Sequence, residues 1–232
     1  MFFFDPYYLI FILPAIILML IAQWRVNAAY NKWMRVPNQS GIAGRVAAQR
    51  LLGWLGLYDV QLETTPGHLT DHYDPAHNVL RLSRDIGNEP SVASLAVVAH
   101  ELGHAMQDQE GYLPLKFRSA IVPAVSVGSY LGWILILAGI LLRITGVAWL
   151  GVAVFSGGAL FALVTLPVEF NASRRALRLL TDNELIVTQD EERGVRAVLN
   201  AAAMTYVAAL ATALFQLLYY TMLIGGLGRR RD

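Results

Sequence analysis

Four long apolar stretches constrain the fold of this chain more than any other feature. They cover residues 7–24, 121–142, 147–168 and 201–226. Each is about as long as a helix needs to be to cross the hydrocarbon core of a bilayer. Hydrophobic residues make up 56% of the 232 positions, which is too high a share for an ordinary soluble domain. The sequence therefore predicts a mainly α-helical integral membrane protein with about four transmembrane helices.

The residues that flank these stretches indicate how the helices are used. A cleaved signal peptide would have positive charge before its apolar run and small residues after it. Here Asp5 precedes the first stretch and Arg25 follows it, so we predict an uncleaved anchor. Only residues 143–146 separate the second and third stretches, which predicts a tight antiparallel hairpin. Gly128 and Gly132 form a small-xxx-small pair that favours close helix packing within one bundle over dimerisation.

One short motif, His100-Glu101-Leu102-Gly103-His104, carries the chemistry. On a helix, residues four apart lie on the same face, so both imidazoles can reach one metal ion. Neutral imidazole nitrogens suit zinc. Glu101 is placed where a carboxylate can take a proton from a water that the metal activates, which is the chemistry of peptide hydrolysis. The alternative, two unrelated histidines four residues apart, is disfavoured because Glu stands at the one required place.

The residues around the motif predict a helix and a small β-sheet before it. Asn88 can cap the motif helix, and Gly111 can end it. Ser40 can cap an earlier amphipathic helix. Residues 60–63 and 78–83 alternate between apolar and polar, which predicts strands, and residues 71–75 between them suit a polar turn. We expect residues 79–83 to be an edge strand that pairs with an extended substrate.

Composition excludes several other classes of protein. A net charge of +1 provides no basic face for nucleic acid. The chain has no cysteine, so any metal site must use histidines and carboxylates. A second metal at His68, His72 and His77 is possible, but histidines in a polar turn are more often solvated. The apolar stretches lack the internal ionisable residues of a metal transport path.

Glu169 is the candidate for a third zinc ligand. It follows the third apolar stretch, and two spans bring the chain back to the side of the motif helix. A carboxylate at the edge of the hydrocarbon is costly without a partner or a role. A salt bridge to Arg174 or Arg175 is the structural alternative. Zinc ligation removes the cost and completes the three protein ligands of a catalytic zinc site, so we favour it.

These segments together resemble the YugP-type, membrane-bound neutral zinc metallopeptidases of bacteria. The resemblance covers nearly the whole chain and includes residues 71–75 (DHYDP), 169–174 (EFNASR) and 194–203 (GVRAVLNAAA). The chain is similar, more distantly, to the HtpX and CAAX-prenyl-protease gluzincins, whose Glu-aromatic-x-Ala-Asp segment implies Glu169 as the third ligand. Ser173 stands where those relatives have Asp, a partner of a zinc histidine. Asn171 or Asp182 could substitute for that partner.

The sequence thus predicts one functional module in three parts. Residues 1–35 form the anchor and a juxtamembrane helix, and residues 36–119 form an extramembrane zincin-like region with a small β-sheet or hairpin and the motif helix. Residues 120–232 hold the hairpin, the third-ligand helix and the last span. We expect a bacterial inner-membrane protein with its catalytic side in the cytoplasm, although Arg229, Arg230 and Arg231 oppose that orientation. The basic residues that favour it are Arg25, Lys32, Arg35, Arg45, Arg50, Lys116, Arg118, Arg174, Arg175 and Arg178.

The predicted function is a membrane-embedded zinc metallopeptidase with one Zn²⁺ per chain. His100, His104 and Glu169 are the expected metal ligands, and Glu101 is the expected general base. The candidate oxyanion stabilisers are His72, Tyr73, Arg174 and Arg175. The substrate would be a peptide or a membrane protein, met at the lipid bilayer. The alternative is a non-catalytic zinc-containing membrane scaffold or chaperone-like partner, whose closed site would need a fourth protein ligand such as His72.

Overall fold

A computed structural model describes residues 6–228 of the protein. Seven α-helices and three β-strands follow one another within these residues. The elements are α1 (Pro6–Met34), α2 (Gly44–Leu55), β1 (Gln61–Thr65), β2 (His72–Asp74), β3 (Val79–Ser83), α3 (Arg84–Asn88), α4 (Val92–Gln109), α5 (Leu113–Leu141), α6 (Thr145–Asp182) and α7 (Gln189–Gly228). The expectations that involve Asp5 and Arg229 to Arg231 lie outside the described residues.

Four of the helices are long and apolar enough to cross a membrane, as predicted. They are α1, α5, α6 and α7, with the spans at Tyr8–Met34, Leu113–Leu141, Thr145–Asp182 and Gln189–Gly226. At a rise of about 1.5 Å per residue, α6 is far longer than the roughly 30 Å of a hydrocarbon core. The apolar stretches seen in the sequence are therefore the inner parts of longer helices, and the polar parts of α6 and α7 extend beyond them.

The chain divides into two compact units. The apolar unit contains residues up to Gln23, Lys116–Leu166 and the chain from Thr205 onward. Its α5–α6 hairpin is held closely together through glycines. A Cβ on Gly132 would lie 2.7 Å from the backbone nitrogen of Phe155, and one on Gly151 would lie 2.5 Å from that of Ile136. These contacts agree with the predicted packing of small residues within one bundle.

The motif unit contains Trp24–Leu115 and Pro167–Met204. It holds the three-stranded sheet, and its core is built from α2, α4, β3 and the polar ends of the long helices. The largest fully buried side chains of this core are Leu51, Leu80, Leu82, Ile86, Leu95, Leu102 and Leu180.

The strand order corrects the prediction of an edge strand at residues 79–83. The order is β1-β3-β2, with β3 parallel to β1 and antiparallel to β2. Four of the five residues of β3 are buried, as expected of a strand covered on both faces. Residues 71–75 are also not simply a turn, because His72–Asp74 form β2. The free edges of the sheet therefore belong to β1 and β2.

Two predicted helix caps are also wrong. Ser40 donates its hydroxyl to Asn38 in a preceding turn, and α2 begins after Ala43 without a side-chain cap. Asn88 ends the short helix α3, and Ser91 caps the motif helix α4 by accepting a hydrogen bond from the Ser94 N–H. Gly111 does help to end α4, because its φ of 66° is a left-handed conformation that glycine adopts without strain.

Candidate metal centre

Glycine at the centre of the motif brings α4 against α6. A Cβ on Gly103 would lie 2.6 Å from the carbonyl oxygen of Ala172 and 3.1 Å from its Cα. Both Gly103 and Ala172 are buried. Any larger residue at position 103 would force the two helix backbones apart. This close approach places the side chains of α6 within reach of the two motif histidines.

His100, His104 and Glu169 converge at this helix crossing. Their ligand atoms all lie within 4.8 Å of one another. The distance from Glu169 Oε2 is 3.2 Å to His100 Nε2 and 3.5 Å to His104 Nε2. Glu169 is only 2% exposed, and both imidazoles are mostly buried. Among residues 6–228, this is the one group of three or more histidine, cysteine or acidic residues with metal-binding spacing.

The spacing of these atoms fits zinc. Two ligands of a tetrahedral zinc ion with bonds of about 2.0–2.1 Å are about 3.3–3.4 Å apart. The two distances to Glu169 Oε2 lie close to that value. The group also combines two imidazoles with one carboxylate, a ligand set of catalytic zinc sites. Within the described residues no fourth protein ligand joins the group, which leaves it with the composition of an open site.

A buried glutamine fixes the tautomer of His104. Arg175 Nε can only donate, so the atom of Asn171 that it contacts at 2.7 Å must be the acceptor Oδ1. Gln107 contacts the same oxygen at 2.9 Å and must therefore present its amide nitrogen there, which also donates to the Val168 carbonyl. Gln107 Oε1 is then left to accept from His104 Nδ1 at 3.0 Å.

In the neutral imidazole, His104 Nε2 then carries a lone pair and faces the carboxylate of Glu169. Two lone pairs that face each other in a buried place repel unless a cation, either a metal ion or a proton on Nε2, lies between them. The donor network thus fits a metal ion independently of the distances. On the other histidine, His100 Nδ1 lies 3.3 Å from the Ser173 hydroxyl. Partners of this kind orient metal-binding histidines and keep the other nitrogen available.

Glu101 lies beside the group but is held by another element. The backbone N–H of Tyr73 in β2 donates to Glu101 Oε2 at 3.0 Å. Desolvation by burial raises the pKa of the Glu101 carboxyl, against the opposing effects of the histidines and the Tyr73 N–H. A raised carboxyl pKa lies nearer to neutral pH and suits a group that accepts and returns a proton.

The other residues singled out in the sequence are placed outside the group. His72 Nδ1 contacts the Thr70 carbonyl, and Arg175 forms a bidentate ion pair with Glu110. The Tyr73 hydroxyl lies 3.1 Å from the carboxylate oxygen Oδ2 of Asp108 and 3.1 Å from the amide oxygen Oδ1 of Asn78. Of the four oxyanion candidates, Tyr73 is the one that forms a hydrogen bond with the motif within the described residues, and it does so through its backbone N–H. Asn171 acts indirectly, through Gln107.

Gln107 is the functional residue that sequence reasoning missed. A signal was present, since it lies three residues after His104 on the same helix face. Its burial is complete. Glutamine is rarely buried so fully without several hydrogen bonds, and here it makes three.

Comparison with known proteins places the chain in a class. A family described as "Putative neutral zinc metallopeptidase" matches residues 8–225, and the chain belongs to that family. The resemblance drawn from the motifs is thereby confirmed, as is the expectation of a zinc-dependent membrane protein. A curated relative is the "Putative membrane protease YugP" of Bacillus subtilis (strain 168). It is 44% identical over 202 residues, which cover 87% of this chain and 89% of the relative. No solved structure matches the chain.

Proposed function

We propose that the protein is a membrane-embedded zinc peptidase of the gluzincin type. His100, His104 and Glu169 would hold one Zn²⁺, and Glu101 would act as the general base. Zinc in such a site lowers the pKa of a water molecule to about 7 and polarises a carbonyl group. The observation that carries the proposal is the convergence of three ligand atoms at the crossing of α4 and α6, with the lone pair of His104 directed into the group.

The contacts of Glu101 indicate how it would move a proton. Tyr73 holds Oε2, while Oε1 has no hydrogen-bond partner among residues 6–228. Oε1 would therefore take the proton from the attacking water and deliver it to the leaving amine. Burial of the carboxyl favours its protonated form, which stabilises the state between the two transfers. The N–H of Tyr73 keeps the carboxylate oriented throughout.

The free edge of β2 is the candidate binding strand for substrate. The Tyr73 N–H is already bound to Glu101, away from β3, so the group that this residue leaves for an extended peptide is its carbonyl, which points to the same side of the strand. An extended peptide that paired with this edge would pass directly beside Glu101. This position replaces β3, which lies in the middle of the sheet. Because Glu169 follows the apolar part of α6 directly, membrane proteins or membrane-proximal peptides are the natural substrates.

The test is cleavage of an unfolded membrane-protein substrate by the purified, zinc-loaded protein. We expect wild type to cut it and Glu101→Gln to lose about 10²–10⁴-fold in rate, the usual contribution of a general base. Glu89→Gln, at an exposed position, should retain the activity of wild type. If wild type and Glu101→Gln are equally inactive while zinc stays bound, the result favours the alternative of a non-catalytic scaffold or chaperone-like protein.

We also propose that the site faces the cytoplasm of a bacterial cell. The support is the excess of basic residues beside the motif region in the sequence. Because the chain has no cysteine, a single Glu89→Cys variant gives a clean labelling site. A membrane-impermeant thiol reagent should label it only after the inner membrane is opened. Labelling of intact spheroplasts would reverse the orientation.

A further inference from the structure

A cavity in the motif unit is lined by positively charged side chains that have no role in the proposed peptide hydrolysis. Its volume is about 520 Å³, within the range of roughly 300–1,000 Å³ that is usual for small-molecule sites. Arg174, Arg175 and Arg178 contribute to its wall, against the single acidic residue Asp182. The three members of the metal group do not line it.

Helix α6 uses two different faces for the metal group and for the cavity. Glu169, Ala172 and Ser173 face α4 and its histidines. The cavity is lined by residues at positions 171, 174, 175, 178 and 182, which recur at the three- and four-residue spacing of one helix face. The cavity is therefore a separate feature of the same helix.

Two of the three arginines have no hydrogen-bond or ion-pair partner in the part of the chain that the structure describes. Arg175 is already committed, because its guanidinium binds both oxygens of Glu110 at 2.6 and 2.7 Å and also donates to Asn171. Arg174 and Arg178 are exposed and make no hydrogen bond or ion pair with any residue between 6 and 228. Asp182 lies four residues after Arg178, yet it does not neutralise that guanidinium. The cavity thus has two available guanidinium groups on one wall.

The remaining wall is apolar. Leu55 of α2, Met106 of α4 and Leu179 of α6 line the same cavity. A ligand that satisfies both walls needs an anionic part for the arginines and a carbon part for these side chains. Planar guanidinium groups bind both carboxylate and phosphate oxygens with paired hydrogen bonds, and the place of Arg174 along α6 favours phosphate. Arg174 also follows the apolar stretch of α6 by six residues, or about 9 Å along a helix, where membrane proteins meet phosphate groups of lipids.

We propose that this cavity binds a phosphate-bearing anion, with Arg174 and Arg178 on the phosphate and Leu55 and Met106 against the carbon part. The head group of an anionic phospholipid and a soluble phosphate share this chemistry. Arg175 stays with Glu110 and supports the wall. The site would give the protein a preference for anionic lipid through two arginines that are not metal ligands.

The test measures binding to the zinc-loaded protein in a neutral detergent by calorimetry. The probes are a short-chain phosphatidylglycerol, the matching phosphatidylcholine and inorganic phosphate. We expect phosphatidylglycerol to bind wild type, and the double variant Arg174→Gln/Arg178→Gln to bind it at least about tenfold more weakly, because two charge-assisted contacts are lost. Arg174→Lys/Arg178→Lys should fall between the two, since it keeps charge without the paired geometry.

The matched control removes the same charge elsewhere. Arg50→Gln/Arg84→Gln, at exposed positions outside the cavity, should bind phosphatidylglycerol as wild type does. Phosphate that binds as tightly as the lipid, and depends on the same two arginines, supports the site with a soluble ligand. Zinc content and melting temperature confirm folding of every variant. The proposal is overturned if wild type binds no probe, if phosphatidylcholine binds as tightly as phosphatidylglycerol, or if the glutamine variant binds like wild type.

Discussion

At the residue scale, the candidate metal centre includes side chains that position its histidines without belonging to the ligand group. Arg175 donates to Asn171 and so orients its side-chain oxygen, to which Gln107 also donates. Gln107 is thereby oriented with its own oxygen toward His104 Nδ1. Ser173 stands beside His100 on the other side. Two protein contacts therefore decide which nitrogen of each histidine is available, before any metal arrives.

Loss of the Gln107 amide should weaken zinc binding. In Gln107→Leu, the Nδ1 of His104 loses its buried acceptor, so the tautomer with a free Nε2 is no longer favoured. We expect the zinc dissociation constant to rise by about 10–100-fold, as for other partners of metal-binding histidines. Competition with a fluorescent chelator measures the change. Gln109→Leu, at an exposed position two residues away, is the control, and equal affinities of the two variants would contradict the role.

Sequence reasoning could find the residues whose spacing is dictated by chemistry. The two histidines and Glu101 follow from the helical period, and Glu169 follows from the cost of a carboxylate at the end of an apolar stretch. The hydrogen-bond partners of the two histidines are harder to predict, because a contact between α4 and α6 leaves no fixed spacing in the sequence. In the sequence, Ser173 stands out only because the more distant relatives have Asp there, and the structure places its hydroxyl beside His100.

At the element scale, the approach of α4 to α6 is set by one glycine. In Gly103→Ala, the new methyl group would meet the backbone of Ala172 at 2.6 Å and push the helices apart. We expect a lower melting temperature and loss of tight zinc binding, since Glu169 would move away from the histidines. Gly53→Ala in α2 is the control. Its methyl group meets nothing within 4 Å, and a helical Gly→Ala change is favourable by up to about 1 kcal/mol.

An ion pair in the sheet should stabilise the folded protein at neutral pH and lose this effect at acid pH. Hydrogen bonds from Arg81 and His77 hold the pKa of Asp74 well below its ordinary value. A folded-state pKa below the unfolded value of about 3.9 gives stabilisation that is present above that pH and is lost as pH falls through the folded pKa. Asp74→Asn should therefore lower the melting temperature most above about pH 5 and progressively less below about pH 4.

Melting curves of the detergent-solubilised protein between pH 3 and pH 7 provide the measurement. Glu89→Gln removes an exposed carboxylate without such partners and should follow wild type throughout. A difference between Asp74→Asn and wild type that stays constant across this range would show that the ion pair is not the cause.

The small sheet shows where the sequence was insufficient. Alternation located β1 and β3 but could not give their order, because pairing is decided by contacts distant in sequence. Val79 and Leu80 are adjacent apolar residues, and both are buried. That pair was the available sign of a strand covered on both faces, and hence of a central strand.

At the scale of the whole molecule, composition was enough to predict a four-helix membrane protein, because apolar length is a property of the sequence itself. The full length of α6 and α7 was not predicted, since their polar ends have no hydropathy signal. These ends matter most for function. Glu169 and the arginines of the cavity all lie on the polar part of α6.

Metal removal should destabilise the motif unit, because zinc would join α4 to α6. A ligand at 100 times its dissociation constant adds about 2.7 kcal/mol to the folded state. We expect a chelator to lower the melting temperature by several degrees and to abolish cleavage, and Zn²⁺ but not Mg²⁺ to restore both. An unchanged melting temperature after verified metal loss would mean that the metal does not stabilise the packing of α4 against α6.

The most direct measurement is the zinc content of three purified forms, by elemental analysis: wild type, Glu169→Ala and Glu101→Gln. The assigned roles predict one zinc per chain in wild type, full zinc in the inactive Glu101→Gln, and little or none in Glu169→Ala. Glu169→Ala with a full complement of zinc would contradict the ligand set. Loss of zinc from Glu101→Gln would contradict its assignment as a base that does not bind the metal.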